Sequence, residues 1–302
     1  MSISICIPTY NRLPSLKRLI ESIFKGFGNY PYEVIVADDG STDGTIEYLK
    51  GFSNITLIEK KELRGAVKAF NSCFKVAKGD YIFFSNDDFI LVPEVLIKAC
   101  KLMDDYKEIG LVAPKVEEPV FANLPGVEIF SHALIISKAH IFRASVLREM
   151  NYFDENFKTY AIDDDSCLSV LKLGYSIIFT REVGIIHNRV RDKLKDRNLK
   201  ISNQGEIDYF WKKWAVLNSH IDKYLRRMGT AKYKLKIIRL FCRAIFRFKL
   251  PGFFPQKIKA LLIQFYDRLL EQCIVFKVKE YENLKDFYLG QKLPREVLEK
   301  II

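Results

Sequence analysis

Over the first third of the chain, short apolar runs rich in β-branched and aromatic residues alternate with stretches of helical periodicity. Residues 3–8 read as a strand, after which Leu16, Leu19, Ile20 and Ile23 fall on one face of a helix over 13–24. Strands over 33–38, 56–59 and 81–85 follow, interleaved with helices over 45–49 and 65–77, and Pro93 opens a helix ending at about residue 106. This alternation predicts βαβ units and a parallel sheet, the α/β fold class. Beyond residue 114 the rhythm changes. Residues 127–137 read as extended chain, 139–150 as a helix with Ser137 as its candidate cap, 166–173 as a helix, and 176–180 and 183–187 as two strands. Between 188 and 206 the chain is polar, with Arg189, Arg191, Lys193, Lys195 and Arg197 at nearly alternate positions, and a long mobile loop that closes as a lid is expected there.

Ligands of open α/β sheets bind at the carboxyl ends of the strands. Two acidic clusters stand at such ends: Asp38-Asp39-Gly40-Ser41 after the second strand and Asn86-Asp87-Asp88 after the fourth. Neither has apolar neighbours that predict its burial. A third cluster, Asp163-Asp164-Asp165, precedes a helical run. Each also has a purely structural explanation, because Asp, Asn, Gly and Ser form turns and caps, with Asp43 or Thr42 capping the helix at 45–49. Acids in a first helical turn likewise suit the helix dipole. The chain has no G-x-x-x-x-G-K-[ST], so carboxylates combined with a basic loop fit metal-assisted handling of a diphosphate without a P-loop. Asp87 and Asp88 suit Mg²⁺ or Mn²⁺, and His187 at a strand end either adds a nitrogen ligand or is a hydrogen-bonded strand-end histidine.

Composition narrows the class. With 302 residues, 49% hydrophobic and 28% charged, the chain has globular proportions and enough length for a sizeable core. No apolar run reaches the roughly 18 to 20 residues of a membrane span, and residues 1–9 lack the features of a signal peptide, so a cytoplasmic location is expected. Six widely separated cysteines without a C-x-x-C are read as packing thiols. The net charge of +11 has a local origin: residues 223–266 hold 12 Lys or Arg and no acid, leaving 36 basic against 37 acidic residues elsewhere. There Lys236, Arg239, Arg243 and Arg247 recur at helical spacing opposite Ile237, Ile238, Leu240, Phe241, Ala244, Ile245 and Phe248. Such a helix, with Phe253 and Phe254 as interfacial anchors, fits peripheral binding to an anionic membrane surface, the inner face of the cell membrane. The alternative is a helix packed on the rest of the protein with its basic face solvated. Residues 261–276 read as another amphipathic helix. No nucleic-acid module accompanies the basic segment, and no nucleic-acid partner is expected.

Taken in order, Pro8-Thr9-Tyr10-Asn11-Arg12, the run from Ala37 through Asp39 to Thr45, the run from Gly79 through Asn86-Asp87-Asp88, and Phe153-Asp154-Glu155-Asn156-Phe157 resemble the successive signatures of family 2 glycosyltransferases. The resemblance implies a GT-A fold, a mixed and mainly parallel sheet carrying a nucleotide diphosphate sugar and a divalent metal. It implies a catalytic domain over 1–218, which leaves 219–302 as a basic helical appendage. Position by position, Pro8, Thr9, Tyr10, Arg12, Asp39, Asn86 and Asp87 would bind the nucleotide, with Thr9 and Asp39 on the base and Asp87 on the ribose. Asp88 matches the last acid of the family's D-X-D motif and would ligate the metal, Mn²⁺ or Mg²⁺, with His187 beside it; Asn86 replaces the motif's first Asp. The third cluster resembles the family's E-D-x-D-L segment. That places the catalytic base on Asp163, with Ile162 where Glu normally stands, Asp164 as the competing assignment for the base, and Asp165 on the later Asp. Tyr209 to Trp214 matches the Q-x-x-R-W motif of processive synthases only loosely, which favours transfer of a single sugar. Trp211, Asp164 and Asp165 are candidates for an acceptor or secondary site. The implied reaction is inverting transfer, from a UDP-sugar since Asp39 suits a pyrimidine, to a glycan or lipid-linked hydroxyl. A sugar nucleotidyltransferase is the competing enzyme class, although the Gly-rich opening loop of those enzymes is missing. A basic nucleic-acid-binding protein with a degenerate nucleotide site is the competing non-enzymatic one.

Overall fold

The computed structural model describes residues 1–117, 127–130, 134–137, 139–159, 161–188, 205–227 and 287–300. Strands β1 (Ile3–Thr9), β2 (Tyr32–Asp38), β3 (Ile55–Glu59) and β4 (Tyr81–Phe84) lie parallel in the order β3-β2-β1-β4. Helices α1 (Leu13–Gly26), α2 (Thr45–Lys50) and α3 (Ala66–Val76) connect them, as the alternation predicts. Because strand side chains alternate between faces, the core divides into two layers. Ile3, Ile5 and Ile7 pack with Leu16, Leu19, Ile20 and Ile23 of α1 and with Leu96 and Met103 of α4 (Pro93–Asp105). On the other face Cys6 joins Phe70, Cys73 and Phe74 of α3. Burial on both faces is why β1, β2 and β4 read as nearly continuous apolar runs. Gly79, in the turn before β4, is required by this closeness: a Cβ there would lie 2.6 Å from the Ser4 hydroxyl.

The second half extends the sheet. With β6 (Ile109–Glu117), β9 (Ile141–Arg143), β10 (Ser176–His187) and β11 (Phe287–Gln291) the order becomes β11-β10-β6-β9-β4-β1-β2-β3, and β5 (Phe89–Leu91) pairs with β10. β9 runs antiparallel to both β4 and β6, which makes the sheet mixed. The helix predicted over 139–150 is corrected accordingly: Ile141–Arg143 is a strand, and only α5 (Ala144–Glu149) is helical. Ile141 and Phe142 fill a slot between two strands, and the Arg143 guanidinium donates to the carbonyls of Met103, Tyr106 and Ile109. Those are tertiary demands that override local periodicity. The two strands predicted over 176–187 form one strand with register shifts, and 127–137 contains the hairpin β7 (Val127–Phe130) and β8 (Leu134–Ser137).

Helix α6 (Ile162–Lys172) begins four residues earlier than expected and so takes all three acids into its first turn. Helices α7 (205–213), α8 (Ala215–Arg227) and α9 (Arg295–Leu298), with Trp214 in the turn between the first two, add Phe210, Trp214, Leu217, Ile221 and Val297 to the α3 side of the core. Residues 189–204 of the lid expectation, and 228–286, which hold most of the basic segment, Phe253, Phe254 and the helix at 261–276, lie outside the described residues. Cys6, Cys73, Cys100 and Cys167 are buried free thiols, in keeping with a packing role, while Cys242 and Cys273 are outside the described residues. Among the described residues no helix is long and apolar enough to cross a membrane.

Candidate active site

The loops leaving β1 and β2 are locked to each other. Asn11, in the left-handed region at φ 52°, donates its N–H to the Ser41 hydroxyl (2.8 Å), and its side-chain oxygen accepts from the Thr42 N–H (2.7 Å). Asp43 brackets two helix starts by accepting from the Leu13 N–H (3.0 Å), the Thr45 N–H (3.2 Å) and the Thr45 hydroxyl (2.5 Å). Asp38 accepts from the N–H groups of Gly40 and Ser41 (3.0 and 2.7 Å), with Gly40 at φ 87°. The turn-forming explanation therefore holds for Asp38 and Asp43. Asp39 is placed differently. Its main-chain N–H donates to the Thr9 carbonyl (3.1 Å), one carboxylate oxygen accepts from the Arg64 N–H (3.1 Å) outside its own turn, and Oδ1, like Oδ2 of Asp38, is buried with no hydrogen-bond partner among the described residues. Burial pushes its pKa up, opposed by the N–H groups of Arg64 and Gly65. A buried oxygen in this state calls for an incoming donor.

Asp87 and Asp88 follow β4 on the same edge. Asp87 accepts from the Thr9 hydroxyl (3.1 Å) and pairs with the Arg12 guanidinium (3.0 Å). Burial pushes its pKa up to about 6; Arg12 opposes the rise and Asp88 adds to it. Asp88 lies 3.3 Å from Nε2 of His187, which the antiparallel pairing of β5 with β10 sets opposite Phe89. The Asn188 N–H donates to the Asp88 carbonyl (2.9 Å), closing the loop over β10. The expectation that these clusters stand unburied is overturned: Asp39, Asp87 and Asp88 are only 3%, 5% and 6% exposed. Loops from four strands converge there and cover one another, which no run of neighbouring residues reveals. Pro8, Tyr10, Arg12, Asn86 and His187 are half-buried around the cluster.

The third acidic group stands on α6, after Ala161, which holds φ 61° at the helix N-cap. A non-glycine residue in that region costs about 1 to 2 kcal/mol, so the entry into this turn is strained. Asp163 and Asp164 are half-buried in the first turn. Asp165 is turned into the core, where Lys213 (2.8 Å) and the Trp214 indole N–H (2.8 Å) meet its carboxylate. Burial raises the Asp165 pKa against the pull of both partners. Lys213 also binds Asp154 (2.8 Å), which accepts from the Tyr209 hydroxyl as well (2.9 Å). The two tryptophans thus separate: Trp214 is a core residue, whereas Trp211 is 43% exposed.

The Asp154 carboxyl is burdened by partial burial but is held below its usual range by Lys213, the Asn156 N–H and Tyr209. A depressed carboxylate pKa contributes stability that is fully present above about pH 3.9, the unfolded value, and is lost as pH falls through the folded one. Asp154→Asn should therefore lower stability by about 1 to 3 kcal/mol at pH 7, with the difference from the parent closing below about pH 3.9. Thermal melts of both proteins from pH 7 to pH 3 check this, and a gap that persists in acid would contradict it.

The sequence profile of Glycosyl transferase family 2 matches residues 4–166, more than half of the chain. The chain belongs to this family. Among its relatives, the poly(ribitol-phosphate) beta-N-acetylglucosaminyltransferase TarS of Staphylococcus aureus is 27% identical over 175 residues, covering 53% of this chain and 30% of that protein. The chain thus matches less than a third of that relative's length. The crystal structure of S. aureus TarS 1–349 in complex with UDP-GlcNAc superposes with a TM-score of 0.54 at 21% identity, over 64% of this chain and 60% of the other. The mannosyltransferase PcManGT of Pyrobaculum calidifontis, solved with GDP-Man and Mn²⁺, gives 0.54 at 16% identity, over 89% and 84%. At such identities the likeness concerns the fold, and the GT-A architecture is borne out.

Among the described residues of this family 2 chain, no three His, Cys, Asp or Glu side chains cluster to hold a metal. Asp88 and His187, adjacent and mostly buried, offer one oxygen and one nitrogen. That donor set fits an ion that takes its remaining ligands from phosphate and water, the usual habit of Mg²⁺ and Mn²⁺ at phosphate sites. Sequence patterns gave no sign of Lys158, Glu206 or Lys213 as supports of the family 2 fold. The Lys158 N–H donates to the buried Glu206 (2.7 Å) and its carbonyl accepts from the Val67 N–H (3.2 Å), joining α7 to α3. Pairs so far apart in sequence leave no local signal.

Proposed function

We propose that this protein is an inverting glycosyltransferase that moves one sugar from a UDP-sugar to a hydroxyl of a glycan or lipid-linked acceptor. One observation carries the proposal: a buried Asp39 oxygen awaiting a donor stands on the same sheet edge as the Arg12–Asp87 and Asp88–His187 pairs. The N–H of a pyrimidine base suits Asp39, and Asp87 is assigned to the ribose. Thr9 and Arg12 hold Asp87 in position. A divalent ion, when bound by Asp88 and His187, supplies positive charge to a diphosphate. Asp163 takes the proton of the acceptor hydroxyl as that oxygen bonds to the anomeric carbon. The bond from that carbon to the diphosphate oxygen breaks on the opposite face, its electron pair leaves with the nucleotide, and the configuration inverts. The relation to TarS, a poly(ribitol-phosphate) beta-N-acetylglucosaminyltransferase, supports an envelope glycan as acceptor. The basic composition of residues 223–266 supports action at an anionic membrane surface on the cytoplasmic side.

A thermal-shift panel of UDP-, dTDP- and GDP-sugars with Mn²⁺ tests donor choice. UDP-sugars should stabilise the protein, by about 2.7 kcal/mol at a hundredfold excess over Kd. Asp39→Ala should weaken UDP binding about 10- to 100-fold, the value of a buried hydrogen bond to a charged group. Equal stabilisation by GDP-sugars, or an Asp39→Ala protein that binds UDP normally, would contradict the assignment.

A further inference from the structure

His140 lies outside the pocket and is wholly buried in the link between β8 and β9. Its ring stands edge-on to Phe84 (5.1 Å between centroids) and to Phe142 (5.4 Å). Phe84 ends β4, immediately ahead of the loop that carries Asp87 and Asp88. Both ring nitrogens meet side chains of α6: Nδ1 is 3.2 Å from the Ser166 hydroxyl and Nε2 is 3.1 Å from the Cys167 sulfur. An apolar ring would fill the same space among the phenylalanines, and a buried imidazole is costly unless its nitrogens are paired. The pairing therefore has a direction to be worked out.

Ser166 has one hydroxyl proton, and it donates to the main-chain carbonyl of Asp163 at 2.9 Å. Its oxygen meets Nδ1 as an acceptor, which places the ring proton on Nδ1 and leaves Nε2 to accept the Cys167 thiol proton. Donation then runs one way, from Cys167 to His140, from His140 to Ser166, and from Ser166 to the backbone of Asp163. A serine bonding back to the carbonyl three residues earlier is an ordinary local habit in helices. The histidine behind it, wedged against the last residue of β4, ties that helix turn to the strand bearing the donor residues.

We propose that His140 is a positioning residue for the catalytic base: acting through Ser166, it fixes the Asp163 carbonyl and the strained first turn of α6 relative to the end of β4. This role rests on Asp163 being the base. Displacing a reacting group by about 1 Å typically costs about 10²-fold in rate. Loss of the relay should accordingly lower kcat and leave the KM for the donor unchanged.

The test uses the full chain in two ways. In ¹⁵N-histidine-labelled protein, one of the four histidines should be locked as the neutral Nδ1–H tautomer and should vanish from the spectrum in His140→Asn. The Nε2–H tautomer, or an imidazolium, would overturn the proposal without reference to activity. UDP release from UDP-N-acetylglucosamine with Mn²⁺ is then followed in variants. Ser166→Ala, which removes only a hydroxyl and guards against misfolding of the His140 variants, and His140→Phe should each lower kcat about 10- to 100-fold at constant KM. His140→Asn keeps a donor to Ser166 and should retain most of the rate. In an Asp163→Asn background, Ser166→Ala should have no further effect, because a group acting through the base has nothing left to position. Full activity of Ser166→Ala and His140→Phe beside an inactive Asp163→Asn would sink the positioning role alone. An active Asp163→Asn would remove the base assignment and this role with it.

Discussion

Asp163→Asn should slow sugar transfer by about 10² to 10⁴, the usual contribution of a placed general base, while nucleotide-sugar binding stays intact. The substitution preserves shape and removes basicity. Asp163 lies in the first turn of α6, whereas the residues proposed for nucleotide and metal leave β1, β2, β4 and β10, so the loss should appear in kcat with the donor Kd unchanged. Asp164→Asn provides the internal comparison. Both acids are half-buried in the same turn, and only the one that faces the acceptor hydroxyl can take its proton. The Asp164 variant should keep most of its rate. An Asp163→Asn enzyme close to wild type would reject the assignment, and a reversal of the two variants would move the base by one residue.

Asp88→Ala should have the second largest effect, on binding. Losing an outer partner of a metal site typically costs 10- to 100-fold in affinity, so losing a ligand should weaken the Mn²⁺-dependent part of UDP binding by at least about 10². It also leaves His187 without the carboxylate 3.3 Å from its Nε2. Calorimetric titration of UDP with and without Mn²⁺, on parent and variant, measures the difference directly. The parent should bind far more tightly with the ion, and the variant should bind alike in both. Binding and turnover unaffected by excess chelator would argue against a metal at Asp88 and His187.

The parallel half of the sheet is legible from the sequence because burial on both faces gives β1, β2 and β4 nearly continuous apolar runs, and amphipathic periods give α1 and α3. Strand β9 is not legible. Three residues inserted between β4 and β6 are defined by their neighbours, and Ile141-Phe142-Arg143 continues smoothly into the helical pattern of α5. The short β5 is likewise defined by its pairing with β10, yet that pairing is what sets His187 beside Asp88.

At the site, the positions of Thr9, Arg12, Asp39, Asp87, Asp88 and His187 on one sheet edge follow from strand ends and family-like motifs. Their burial does not, nor does the division of labour inside each acidic cluster. Asp38 and Asp39 are adjacent and chemically identical, and each keeps one buried oxygen without a partner within the described fold, but Asp38 staples its own turn whereas Asp39 reaches across to the Arg64 N–H. Asp165 and Asp163 share a helical turn, but Lys213 and Trp214, nearly fifty residues downstream, draw Asp165 into the core. Only the closed fold brings those partners within reach.

The anomeric configuration of the product tests the central claim most directly. With an α-linked UDP-sugar as donor, nuclear magnetic resonance of the first product formed should show a β-glycoside, the outcome of one displacement assisted by a base that never bonds to the sugar. An α-glycoside as first product would contradict the account.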